Sequence, residues 1–372
     1  MSMHIAIFGG GQLAQMTAQA GISLGFTFSF IVGEGEDTCC VDGLGNIVVF
    51  RQGMDAEALF NALKKPDVIT VEKEMVDTTL MAALQQYTRV SPNDQSVYLS
   101  QNRIREKNFL RHHGIPTAEF EIIETQEQLE SLPQRLGFPI YIKAAESGYD
   151  GYNQWRIQKQ EDLSQVLLSD DVVLIAEKHI EYSREISVIA ARRVDGDIVY
   201  YPLMENRHED GVLISTIAPA PQTVKILEEG AIAYMETIMS SIDYVGILTI
   251  ECFDTEQGLV VNELAPRVHN SGHWSIEACE TSQFENHCRA IANIALGPTT
   301  TKGVGGIVNM LGKHGRPEDF AQEGMFYHAY GKEERPRRKL GHIAVLADNH
   351  MDVIDKLNKV LVFLYKGRYK TL

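Results

Sequence analysis

Short apolar runs at residues 4–8, 26–32, 46–50 and 68–71 alternate with stretches of helical period, and this alternation constrains the start of the chain more than any other feature. Leu13, Met16, Thr17 and Ala20 recur at helical spacing after the first run, and helices are expected again around residues 56–63 and 78–86. Strands separated by helices of this length build parallel βαβ units, so the chain should open on an α/β layer. The turn after the first strand, Gly9-Gly10-Gly11-Gln12, is similar to a dinucleotide fingerprint, but Ala14 stands where that pattern wants its third glycine. A tight structural turn is an equal reading, and a nicotinamide-dependent dehydrogenase is a distant rival.

Ser91-Pro92-Asn93 interrupts the alternation and marks a boundary. Beyond it the pattern predicts a polar-faced helix over 94–112, a strand ending at Lys143, a glycine loop holding Gly148 and Gly151, and strands at 172–177 and 185–192. A single long helix is expected over 275–295, stopped by Gly297-Pro298, then strands at 307–311 and 343–346 and a last helix at 351–361.

Chemistry concentrates between residues 245 and 273. Strands at 245–253 and 259–264 flank a five-residue loop, Asp254 to Gly258, short enough for a hairpin. Period-two alternation places Thr249, Glu251 and Phe253 on one face, and Val261, Glu263 and Ala265 on one face of the partner. Two glutamates facing each other repel unless a cation lies between them, and magnesium uses one or two carboxylates plus substrate phosphates. The alternative is a pair of solvated acids on an exposed sheet.

The formal charge of -16 argues against a broad attraction to nucleic acid or to an anionic membrane. The five cysteines show no CxxC spacing, which disfavours structural zinc and a disulfide framework. The apolar start is too short for a secretory core or a membrane span, so a cytoplasmic protein is expected.

The run Asn262-Glu-Leu-Ala-Pro-Arg-Val-His-Asn-Ser-Gly-His273 closely resembles the NExAPRxHNSGH motif of the carboxyaminoimidazole ribonucleotide synthetases. Gly9 to Leu13, Gly148-Tyr-Asp-Gly151, Thr281 to His287, Tyr330-Gly-Lys332 and Arg338 to His342 agree with the same family, in order along nearly the whole chain. The resemblance implies an α/β and α+β multidomain ATP-grasp fold. Its parts are a Rossmann-like parallel-sheet domain at residues 1–92, a two-part ATP-grasp region at 93–300 with its smaller subdomain at about 115–180, and a small C-terminal domain at 301–372. It also implies a homodimer and a ligase reaction. Bicarbonate takes the γ-phosphoryl group of ATP, and the amine of 5-aminoimidazole ribonucleotide captures the activated carbon, with ADP and phosphate released.

By matching position, the resemblance assigns Lys107 and Lys143 to the ATP phosphates, with Asp150 and Gly151 in the loop above them. Glu177, Lys178 and Ile180 fall on the adenine hinge, Glu185 on the ribose, and Glu251 and Glu263 on Mg2+. Arg267, His269, Asn270 and His273 form the reacting group, while Gln12, Glu74, Tyr149, Lys332 and Arg338 are matched to the ribonucleotide. Within the basic cluster of residues 332–339, Arg335 and Arg337 equally fit a solvated turn. The glycine loop departs from the family: Ala144-Ala-Glu-Ser147 precedes it and Tyr152-Asn153-Gln154 follows, which removes positive charge and adds Glu146. A related ligase of other carboxylate and amine substrates, and a weakened nucleotide-binding homologue, are the alternative readings.

Overall fold

The computed structural model describes residues 3–146, 154–169 and 172–372. Three sheets form among these residues. The first is parallel throughout, in the order Asn46–Phe50, Thr27–Gly33, His4–Phe8, Val68–Val71, Arg89–Val90, as the opening alternation predicts. The second, of four antiparallel strands, runs Phe120–Ile123, Leu174–Lys178, Ile140–Ala144, Gln154–Ile157. The third is antiparallel and begins with the predicted hairpin, Gly258–Ala265 against Gly246–Thr255. It continues through Arg184–Arg192, Met204–Glu209 and Val212–Ala218 into Val304–Leu311, Lys339–Ala347 and Met325–Ala329.

The expected helix over 94–112 is two helices, Asp94–Ser100 and Arg103–His112. Asn102 makes the break, because its side-chain oxygen accepts the N–H groups of Ile104 and Arg105 and so starts a new helix. Gln101 turns outward and donates to the carbonyls of Glu74 and Val76. The expected helix over 275–295 also divides, into Ser275–Ala278 and Gln283–Ala292, with Ser282 capping the second through the Glu285 N–H. Asn293 closes it in the left-handed conformation.

Alternation fails at one place in the hairpin. Glu251 pairs with Glu263, but Cys252 pairs with Val261, so Asn262 is the extra residue of a bulge. Val261 therefore turns into the core with Cys252 and Leu264, not onto the face of Glu263 as simple alternation has it. The helix Lys225–Ser241 and the hairpin of Met204–Glu209 with Val212–Ala218 are additions that hydrophobic period alone does not bring out.

The glycine turn is closed by the protein itself. Glu72 accepts the N–H groups of Gly11 and Ala14, the latter at 2.8 Å, and so caps the N-terminus of the helix Gln12–Ser23. A Cβ at Gly9, whose φ is +121°, would collide with that carboxylate. The glycines admit Glu72, and the amides a dinucleotide pyrophosphate would use are taken.

Candidate active site

A cleft of about 1260 Å³ lies where the three sheets converge. Gln12, Glu74, Lys143, Glu177, Lys178, Ile180, Glu185, Glu251, Glu263, Arg267, His269, Asn270, Lys332 and Arg338 all line it. Residues far apart in sequence, from strands, loops and a helix start, thus converge on one cleft, the usual form of a ligand site. Tyr149, Asp150, Gly151, Tyr152 and Asn153 lie outside the described residues.

The central feature is the carboxylate pair. Glu251 and Glu263 occupy directly opposed positions in the hairpin, and Glu251 Oε1 is buried without a hydrogen-bond partner. Burial raises the Glu251 carboxyl to about 7; His208 lowers it, while Glu263 and Glu185 add to the rise. A buried carboxylate lacking a donor is costly, and a cation relieves that cost. No group of three or more His, Cys, Asp or Glu side chains is arranged to hold a metal among the described residues. Two carboxylates alone suit magnesium, which completes its shell with water and phosphate oxygens.

A second cluster runs from the cleft wall into the core behind it. Glu177 bridges two lysines, with Lys143 Nζ at 2.7 Å and Lys107 Nζ at 3.0 Å. Burial opposes ionisation of Glu177, yet Lys143 and then Lys107 outweigh it and hold the carboxyl down to about 2. Lys143 faces the cleft. Lys107, only 1% exposed, does not: it points inward from its helix to Glu177, to Thr117 Oγ1 and to the carbonyl of Asn262. The expectation that Lys107 meets the nucleotide phosphates is corrected, since a buried ammonium settles on the buried anion beside it.

At the hinge, Lys178 pairs with Glu119 at 3.2 Å. Glu185 accepts from Tyr182 and contacts His208, and this pairing lowers Glu185 and raises His208 against the burial that opposes both charges. Tyr182 stacks on Phe253 at 4.6 Å, giving the cleft an aromatic flank.

On the loop after the hairpin, Arg267 pairs with Glu74 at 2.8 Å. His269 stands 3.5 Å from Glu251 Oε1, and its other nitrogen meets Ser271 Oγ at 2.8 Å. Burial, reinforced by Arg267 and Lys339, holds His269 well below the ordinary histidine range, so its imidazole is neutral. Asn270 exchanges two amide hydrogen bonds with Asn309. His273 is not in the cleft: it is 1% exposed, packed between Phe284 and His342 and held near Gln283. Its expected place among the reacting groups is corrected. A single 3-10 turn over Asn270–Gly272 leads into His273, whose ring is buried in the core.

Opposite these groups, Lys332 donates to Gln12 Oε1 and Arg338 pairs with Asp37 at 2.6 Å. Arg335 is exposed beside Glu333, as the solvated-turn reading has it, whereas Arg337 lines the cleft and donates to the carbonyl of Asp210. Glu146 faces Arg105 at 3.4 Å and accepts from Asn102, so its charge is balanced locally.

Arg103, Glu106, Arg156, His208 and Lys339 also line the cleft and are absent from the sequence-based set. For His208 a signal existed. Asp210-Gly211, both at positive φ, is a hairpin turn, and it places Asn206 and His208 on one face of the strand before it. Glu106 is buried with one oxygen unpartnered, and burial next to Glu263 raises it well above the carboxylate range. Nothing in its helix sequence marks it.

Family models match in three consecutive stretches: a ribonucleotide synthetase preATP-grasp domain over residues 2–101, an ATP-grasp domain over 108–284, and a phosphoribosylaminoimidazole carboxylase C-terminal domain over 306–356. The chain is 37% identical to an N5-carboxyaminoimidazole ribonucleotide synthase of Aquifex aeolicus, covering 99% of each. The crystal structure of the corresponding synthetase from Thermus thermophilus has a TM-score of 0.88 at 36% identity, covering 97% of this chain and 98% of that one. An Aspergillus clavatus synthase in complex with ADP and 5-aminoimidazole ribonucleotide has a TM-score of 0.86 at 26% identity, with 98% of each chain covered.

Proposed function

This chain belongs to the N5-carboxyaminoimidazole ribonucleotide synthase family, and we propose that it performs that family's reaction, the ATP-dependent carboxylation of 5-aminoimidazole ribonucleotide with bicarbonate. The observation that carries this reading is the opposed pair Glu251 and Glu263, with a buried unpartnered oxygen, in one cleft with Lys143, Arg267, Lys332 and Arg338.

In this reading Glu251 and Glu263 hold Mg2+, which when bound neutralises charge on the transferring phosphoryl group. Lys143 faces the phosphates, and Glu177 fixes its ammonium, with Lys107 keeping Glu177 ionised from behind. Lys178 and Ile180 border the adenine, and Glu185 accepts from the ribose hydroxyls. Arg267, oriented by Glu74, holds bicarbonate for attack on the γ-phosphorus, giving carboxyphosphate and ADP. The amine nitrogen of the ribonucleotide then bonds to the activated carbon and phosphate leaves. The departing phosphate takes the proton the amine loses, while His269, neutral and next to Glu251, borders the reacting groups and Asn270, fixed by Asn309, offers its amide to them. Lys332 and Arg338 grip the 5′-phosphate and Gln12 borders it. Asp150, Gly151 and Tyr149 keep their assignments to the loop over ATP and the ribonucleotide.

The domain division at residues 1–92, 93–300 and 301–372, a homodimer and a cytoplasmic site belong to the same proposal. No helix among the described residues is long and apolar enough to cross a membrane. Sedimentation at micromolar concentration should give twice the mass of the 41.6 kDa chain, and a monomer refutes the dimer. For the reaction, ADP release should require bicarbonate and 5-aminoimidazole ribonucleotide together. Release that ignores either substrate rejects the reading.

A further inference from the structure

We propose that Asp37 is a positioning residue that aims Arg338 at the substrate phosphate, an inference that rests on the reading of Lys332 and Arg338 as the phosphate grip. The acid and the base are 301 residues apart in sequence and meet at 2.6 Å, Oδ2 to Nη2. Most surface ion pairs hold two flexible side chains and contribute little. This one differs at both ends. Asp37 is anchored, because its Oδ1 accepts the N–H of Cys39 at 3.0 Å and ties the carboxylate to its own turn. Arg338 lines the cleft, is 20% exposed, and donates through Nη1 to the carbonyl of Glu333. Two fixed acceptors therefore set the plane of the guanidinium, and its five-donor fork has N–H groups beyond these two to offer a phosphate. The Cys39 N–H and Arg338 keep Asp37 ionised far below neutral pH.

The neighbouring cation is held in the same way, since Lys332 donates to Gln12 Oε1. The two cations assigned to the phosphate, Lys332 and Arg338, are thus both oriented by polar groups of the N-terminal region. A fixed fork loses less freedom when it binds, so its affinity for a phosphate monoester is higher. The opposite role is a carboxylate that merely competes with the phosphate for Arg338. That role predicts the opposite sign.

Calorimetric binding of ribose 5-phosphate to the full-length wild type, Asp37→Ala, Arg338→Ala and the double variant reads this grip without turnover. Asp37→Ala should weaken binding about tenfold. In the Arg338→Ala background the same change should add less than twofold, because Asp37 acts through that side chain. Tighter or unchanged binding in D37A, or an equal loss in both backgrounds, overturns the proposal. In steady-state assays the D37A loss should fall on KM for the ribonucleotide, with kcat within about twofold of wild type; a loss in kcat alone also overturns it. Wild type that binds ribose 5-phosphate but releases no ADP with the ribonucleotide and bicarbonate rejects the carboxylation reading instead, and leaves the binding comparison decisive.

Discussion

At the residue scale the cleft depends on carboxylates kept where water would not leave them. Glu251 has one oxygen with no donor, faces Glu263, and is pushed up to about 7 by burial, so its ionised form calls for a cation. Glu251→Gln or Glu263→Gln should each cut turnover by roughly two to four orders of magnitude, since each removes an electrostatic contribution made during phosphoryl transfer. Steady-state rates at saturating magnesium check this, with circular dichroism confirming the fold; a wild-type rate in either variant ends the metal assignment. This pair is legible in the sequence because the two glutamates flank one short turn, but alternation does not register the Asn262 bulge that sets them directly opposite each other. Lys107 and His273 are not. Their neighbours in sequence are right for a site, but the direction of a side chain depends on which partner is buried beside it, Glu177 in one case and the ring of His342 in the other. Arg103, Arg156 and Glu106 reach the cleft only through tertiary packing, and no local pattern marks them.

At the scale of elements, the predicted strands fall close to their places, because each carries an apolar run or an alternation bounded by turn residues. The overlong helices at 94–112 and 275–295 fail for one reason. Asn102 and Ser282 prefer to cap, and hydrophobic period does not register a cap inside an otherwise helical stretch. The Asn102 cap has a functional consequence, since the helix it starts carries Arg103 and Glu106 to the cleft and Lys107 behind it. Asn102→Ala frees two backbone donors and removes the hydrogen bond to Glu146. It should cost about 1 kcal/mol of stability, read from the shift of a urea transition. A variant as stable as wild type would mean that the break is imposed by packing around the helix and not by its cap. The Asn262 bulge is a comparable device in a strand: without it Val261 and Glu263 would share a face, and either an apolar residue would enter the cleft or a carboxylate the core.

At the scale of the whole molecule, the regions are joined by a common core that sequence pattern does not disclose. Ile5, Ile7 and Phe28 from the parallel sheet pack in one cluster with Ile247, Cys288 and Ile291, and with Ile307 and Ala344 near the C-terminus. Apolar residues facing another region look the same in sequence as those facing their own. His287 is the polar pin in this join. It meets Thr70 Oγ1 at 2.8 Å on one side and accepts the Ile247 N–H at 3.1 Å on the other, so Nδ1 is the acceptor and Nε2 carries the proton. Burial pushes it down to about 4, below the value of about 6.5 that an unfolded histidine has. Between those values the unfolded chain binds the proton and the folded one does not, so stability from this group is present above pH 6.5 and is lost as pH falls towards 4. The slope for one such group approaches about 1.4 kcal/mol per pH unit. His287→Gln removes the titration, whatever it does to stability at neutral pH. The gap between wild type and H287Q, measured by urea denaturation at intervals from pH 7.5 to 4, should therefore shift in favour of the variant below about pH 6.5. A gap that stays constant across that range would mean that the His287 ring already takes up its proton in the folded protein, and the neutral pin between the two sheets would have to be abandoned.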